Sequence, residues 1–210
     1  MGKFSSYYFP TLLRPRRTFD ALMQEPHRLR YGFFALLISA VIYTFVYIFL
    51  TMGGGAPSTL TPILNIPKPV YYSYDRFILL PSMFAAALLS AAVAHLLSKL
   101  ASGSGSFDDT LSAFGFAIGL PSLFSLLHDL PDSFLGAVGL LDLRWYEVAL
   151  NSPTIWRVIL WTLYGLSFLF FFILFPKAVG ASQRIKPLPA ILIGFLSYFI
   201  YQGFFLVFNR

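Results

Sequence analysis

The sequence predicts an all-α fold, a polytopic membrane helical bundle with about five transmembrane helices behind a short N-terminal interfacial amphipathic helix. Three observations carry this prediction. Of 210 residues, 57% are hydrophobic and only 11% charged, whereas an ordinary soluble domain is near a quarter charged. Five apolar runs are long enough for a hydrocarbon core of about 30 Å, which takes roughly 20 helical residues. The basic residues fall unequally in the alternate loops between those runs. Residues 1–30 read as a basic leader carrying the interfacial helix, and 31–210 as one five-span domain.

The leader comes first. Over Pro15 to Glu25 a helix places Phe19, Leu22 and Met23 on one face and Arg16, Arg17 and Asp20 on the other. Such a helix lies in the interface with its arginines toward anionic headgroups. Arg14, Arg16, Arg17 and Phe19 are therefore the candidate lipid- or partner-binding residues. A plain juxtamembrane basic segment that enforces topology is the alternative. The first apolar run starts after this leader and exceeds a signal-peptide core of roughly 7–15 residues, so a cleaved signal is not expected.

The predicted spans are Tyr31 to Met52, Phe77 to Leu100, Leu111 to Leu130, Ile155 to Pro176 and Leu188 to Phe208. The third is the least regular, because Gly115, Gly119 and Pro121 lower its helix propensity; a kinked or re-entrant segment is the alternative there. Ser106 and Asp109 form a capping-box pattern before the third span. Ser152-Pro153 reads as an N-cap and first-turn proline before the fourth, and Pro187 and Pro189 open the fifth. The segment 53–76, with Pro57, Pro62, Pro67 and Pro69, ends in Tyr71, Tyr72 and Tyr74, which suit an aromatic belt. A short interfacial helix is expected over Ser133 to Leu141.

One set of loops holds Lys3, Arg14, Arg16, Arg17, Arg28, Arg30, Lys99, Lys177, Arg184 and Lys186. The other holds Lys68, Arg76, Arg144, Arg157 and Arg210. Ten against five predicts a cytoplasmic N-terminus and, with five spans, a C-terminus outside. The net charge of +6 follows this loop pattern, with no basic stripe or recognition motif, so nucleic acid is not an expected partner. The chain has no cysteine, which excludes disulfides, thiolate metal sites and cysteine nucleophiles.

The leader reads Leu12-Leu13-Arg14-Pro15-Arg16-Arg17-Thr18-Phe19-Asp20-Ala21-Leu22, then Glu25-Pro26. Further on come Gly105-Ser106-Phe107, then Phe114-Gly115-Phe116-Ala117 and Pro121. These stretches resemble the Yip domain family of Ypt/Rab-interacting proteins and their prokaryotic relatives, from about Leu12 to Val207. The resemblance implies five spans, a cytosolic N-terminus and a C-terminus across the membrane. Eukaryotic members are implicated in vesicle traffic and in binding prenylated Rab-type GTPases. This chain lacks the family's acidic Asp-Leu-Tyr/Trp-Gly-Pro motif and carries Phe116 where a tyrosine is usual. It therefore looks more like the short prokaryotic members, in a cell (inner) membrane.

Few polar residues remain to carry chemistry. Ser90, His95 and Gln202 form a candidate intramembrane polar set, since ionisable and polar groups in spans are rare and often functional; bonding to a neighbouring helix is the plainer reading of His95 and of Gln202. His128, Asp129 and Asp132 supply metal-ligand atom types, but their spacing matches no zinc or calcium loop and Pro131 interrupts them. No nucleophile elbow or P-loop is present. Catalytic residues, metal ligands and cofactors are thus not expected. Ala86, Ser90 and Ala94 recur at four-residue spacing and Gly115 and Gly119 form Gly-x-x-x-Gly, so Ala86, Ala94, Gly115 and Gly119 are candidate helix-packing positions, joining the second span to the third or one copy to another. The function these readings favour is non-enzymatic association with lipid, with a second copy or with a peripheral protein, in a membrane-organising or trafficking-like role. A small transporter or channel, with a cavity near the second and third spans, is the alternative.

Overall fold

The computed structural model describes residues 2–57 and 63–208; Pro62 and Arg210 lie outside them. All the regular structure in those residues is helical. Three short helices make up the leader: α1 (Gly2–Tyr8), α2 (Pro10–Leu13) and α3 (Pro15–Leu22). Five long helices follow that are apolar enough to cross a membrane: α4 (Arg28–Met52), α5 (Tyr71–Leu100), α6 (Phe107–Ala137), α8 (Ile155–Gln183) and α9 (Pro187–Phe208). A single turn of 3-10 helix, Lys68–Val70, leads into α5, and α7 (Leu143–Asn151) lies between α6 and α8. Apolar runs of this length become helices because hydrocarbon offers the backbone no partner outside the segment itself.

The third span, least regular in sequence, is the central helix. In its most apolar window 78% of residues are buried, against 28–44% in the other four. Helix α6 packs most extensively on α4 and then on α8, while α5 packs chiefly on α9. A helix surrounded by protein can carry glycine, proline and serine, since its neighbours rather than lipid receive them. No re-entrant break occurs. Its 31 residues, with Pro121 and Pro131 inside, extend about 46 Å, well past the hydrocarbon core.

The Gly115/Gly119 ridge meets α4, not α5, which corrects the expected pairing of the second and third spans. A Cβ on Gly115 would lie 2.0 Å from the Gly32 carbonyl oxygen, and one on Gly119 2.1 Å from that of Ala35. The two backbones touch there, a contact only glycine allows. Ala86, Ser90 and Ala94 are fully buried in the core, on a helix that faces mainly α9 and α4.

Local signals settle most helix ends. At the start of α6, Ser106 Oγ accepts from the Asp109 N–H at 3.1 Å and Asp109 Oδ2 accepts from the Ser106 N–H at 2.9 Å, so the capping box is complete. The cap of α8 is Thr154 rather than Ser152: its hydroxyl accepts from the Arg157 N–H and donates to the Ala149 carbonyl at 2.6 Å. Ser152 instead closes α7. No separate helix forms over Ser133 to Leu141: residues 133–137 are the end of α6, residues 138–142 turn the chain, and a short helix, α7, follows at Leu143–Asn151. Gly139, at φ +74°, turns the chain after α6, and Asp142 Oδ1 accepts from the Arg144 and Trp145 N–H groups to start α7.

Candidate functional site

The two ends of the bundle carry different chemistry. At the end that bears the leader, α3 packs on α8. Phe19 and Leu22 are fully buried, so Phe19 faces the protein core and not lipid. The helix is amphipathic as its sequence says, but its apolar face has found a protein partner. Arg14, Arg16 and Arg17 are exposed on the other side and make no ion pair with a described residue. Phe9 and Leu13 are 64% and 84% exposed beside them. Two other leader-end cations are already paired. Arg28 Nε donates to Asp109 Oδ1, and Lys3 Nζ donates to Glu25 Oε2 at 3.2 Å, where the Tyr7 hydroxyl also donates at 3.2 Å. Burial pushes the Glu25 carboxyl up, and the Lys3 and Tyr7 hydrogen bonds overcome that and hold it below the usual range. Lys3 is correspondingly raised, first by that hydrogen bond.

A buried hub sits at the same end. Gln183, last residue of α8, is fully buried. Its Nε2 lies 2.5 Å from Thr110 Oγ1, 3.1 Å from the Ser106 carbonyl and 3.1 Å from His95 Nδ1. Three segments, α5, the 101–106 turn and α6, are thereby tied to α8. The turn also needs Gly105, where a Cβ would lie 1.8 Å from the Ser182 carbonyl oxygen. His95 is thus bonded to a neighbouring helix, and Ser90 donates to the Ala87 carbonyl of its own helix at 3.2 Å. Gln183 was not among the sequence candidates. One amide at the end of an apolar run carries no pattern, and its partners are about 75 to 90 residues away.

The opposite end holds a cavity of about 320 Å³. All five spans and α7 contribute to its wall. Gln202 lines it; Ser90 and His95 do not, so of the three intramembrane polar candidates only Gln202 faces the cavity. Gln202 makes no hydrogen bond with a described residue and is half-buried. A polar network occupies one side. His128 Nδ1 is 2.9 Å from Asp129 Oδ1, and Nε2 is 3.1 Å from the Tyr146 hydroxyl and 3.2 Å from Asp132 Oδ2. Tyr146 donates to Asp132 Oδ2 at 2.6 Å and Tyr164 to Asp129 Oδ2 at 2.8 Å. Tyr43 and Ser125 join hydroxyls across α4 and α6. Burial, then the neighbouring Asp132 carboxylate, push the Tyr146 hydroxyl far up. Burial likewise raises Glu147, against the pull of the Ala56 N–H, Lys68 and Arg144.

The His128–Asp129–Asp132 spacing was visible in the sequence, but Tyr146 on α7 and Tyr164 on α8 were not. Among the described residues no three His, Asp or Glu side chains converge to hold a metal ion. The carboxylate oxygens of Asp129 are taken by His128 and Tyr164, which fits a hydrogen-bonded network better than a coordination site.

Five apolar helices, four of them arranged about the glycine-ridged central α6, define a multi-pass helical membrane protein. The Yip1 domain profile matches residues 9–196, and the chain belongs to that family. No curated protein and no solved structure gave a significant match.

Proposed function

We propose that this Yip1-family protein acts without catalysis, through association of its leader face with anionic lipid headgroups, in a prokaryotic inner membrane with the N-terminus cytoplasmic. One observation carries the reading. Arg14, at the start of α3, and Arg16 and Arg17 on it are exposed and make no ion pair with a described residue, while the other face of the helix, Phe19 and Leu22, is anchored in the bundle. Anchoring removes the entropy that a free basic tail would lose on binding. Each arginine near an anionic surface contributes about 1 kcal/mol, and the exposed Phe9 and Leu13 suit insertion beside the headgroups. An acidic peripheral protein would meet the same face. The Gly115/Gly119 ridge, spent on α4, lends no support to a homodimer.

The test replaces Arg14, Arg16 and Arg17 together with Gln and compares thermal stability in phosphatidylglycerol and phosphatidylcholine nanodiscs. The wild type should be more stable in the anionic lipid, and the variant should lose that difference. An equal lipid response in both proteins would sink the lipid reading; a variant that keeps its lipid response but loses a co-purifying acidic protein would favour the peripheral partner.

A small transporter is the second reading, favoured by the cavity at the far end. The leader-end half is filled by Phe114, Phe116 and Phe175, all fully buried, so passage would require that half to open. Solute flux in proteoliposomes, absent when the halves are cross-linked, is the measurement that would raise it to first.

A further inference from the structure

We propose that the cavity at the far end is a binding site for a small organic ammonium group, primary or quaternary, of about the size of ethanolamine or choline. Volume, charge and wall chemistry select this class independently of the leader. At about 320 Å³ the space is at the lower end of small-molecule sites. It is too large for a bare ion and too small for a lipid's acyl chains.

Charge sets the sign of the ligand. Asp129, Asp132 and Glu147 line the wall, and His128 is its one basic side chain. Even with a proton on both ring nitrogens, His128 supplies one positive charge. Lys68 and Arg144, outside the lining, act on Glu147, which leaves Asp129 and Asp132 with His128 as the charged groups deepest in the wall. Carboxylates taken out of water are costly unless matched by a cation. An anionic or phosphate ligand would meet the wrong field.

The wall sets the kind of cation. Asp129 is already committed to His128 and Tyr164, and Asp132 Oδ2 to Tyr146 and His128. A small dehydrated metal ion would have to break these bonds. An organic ammonium would not. A primary one can donate its N–H groups to an uncommitted oxygen such as that of the Gln202 amide, and a quaternary head is diffuse and is held by charge and by aromatic faces. Such faces are abundant. Tyr43 packs beside Phe205, Phe205 stacks on Tyr201 at 5.9 Å and Tyr201 meets Phe171 at 6.0 Å; all four rings line the cavity, with Trp161. Gln202, free of hydrogen bonds to described residues, adds an amide that can accept an N–H or bind a ligand hydroxyl.

Two sources present this group: a free amine from solution, and the headgroup of a zwitterionic lipid. The test uses the full chain in phosphatidylglycerol nanodiscs. Tryptophan fluorescence, which includes Trp161 on the wall, is titrated with choline, with ethanolamine and with 3,3-dimethylbutanol, the uncharged counterpart of choline. Saturable binding of an amine, weakened about tenfold or more by Asp132→Asn and by Gln202→Leu, with no response to the neutral alcohol, identifies a free-amine site. In parallel, the protein purified from membranes rich in phosphatidylethanolamine is examined by native mass spectrometry. Retention of that lipid by the wild type and its loss in the same two variants identifies the headgroup as the source. Gln202→Leu guards against a folding defect in Asp132→Asn, because Gln202 takes no part in the buried network. No saturable amine response together with no retained amine lipid overturns the proposal, as does equal binding of the neutral alcohol.

Discussion

The leader-end half and the far half of this bundle are made from the same five helices but solve opposite problems. At the leader end the backbones touch. Gly115 and Gly119 lie against Gly32 and Ala35, Phe19 and Leu22 fill the space under α3, and Gln183 ties three segments together through one amide. At the far end large aromatic residues, Tyr43, Phe171, Tyr201 and Phe205, hold the helices apart around a cavity. Both halves carry large aromatics, and backbone fit separates them. Gly115 and Gly119 bring α6 against α4, so that Phe114, Phe116 and Phe175 fill what remains. No Gly-x-x-x-Gly ridge closes the far end. Lipid is as apolar as leucine, so helices in a bilayer associate by fit and by hydrogen bonds.

The contrast is most easily broken at the glycine ridge. Gly115→Leu should cost about 3 kcal/mol, because the added Cβ alone falls 2.0 Å from a backbone oxygen of the facing helix. The measurement is the thermal midpoint and monodispersity in detergent; an unchanged protein would refute the α4–α6 contact. Next comes Gln183→Leu. It strips buried partners from Thr110 and the Ser106 carbonyl, and roughly 1–3 kcal/mol should be lost. Protease cutting in the 101–106 turn should rise with it, and protection equal to wild type would show that the hub is not what holds that turn.

Acid should loosen the leader end through Glu25. Glu25 ionises below the ordinary carboxylate range in the fold. Its contribution is therefore complete above that range and is lost as pH falls through the lowered value. Faster hydrogen exchange of α1 in that acidic window is the expected signature, and Glu25→Gln should remove the pH dependence. The smallest effect is expected in the far half. Gln202→Leu should change stability by no more than about 0.5 kcal/mol, since Gln202 has no hydrogen bond to a described residue to lose. A large destabilisation would mean that the cavity wall is a packed core after all.

Which residues were legible in advance follows from how far apart their partners lie. The capping box Ser106 and Asp109 spans three residues and was read correctly. Thr154 was passed over for Ser152, two positions away, because either hydroxyl satisfies the rule and only the Ala149 carbonyl within reach of Thr154 chooses between them. The amphipathic pattern of α3 was right and its environment wrong: periodicity says that Phe19 and Leu22 share a face, not whether protein or lipid covers it. Gly115 and Gly119 announced a close contact while the identity of the facing helix stayed open. His128, Asp129 and Asp132 were visible as a cluster, whereas the tyrosines that bind them come from two other helices.

By itself the sequence determined the membrane class, the five spans, the family and the bias of basic residues toward one set of loops. Each of these is a local sum of hydropathy, length, charge or motif, and needs no knowledge of neighbours. The tertiary structure alone decided that the least regular span is the central helix, that α6 pairs with α4, that Phe19 is core and that a cavity opens at one end. Those depend on which faces meet across tens to more than a hundred residues of chain, and in a bilayer the hydrophobic effect does not choose among apolar faces. Shape and a few hydrogen bonds do.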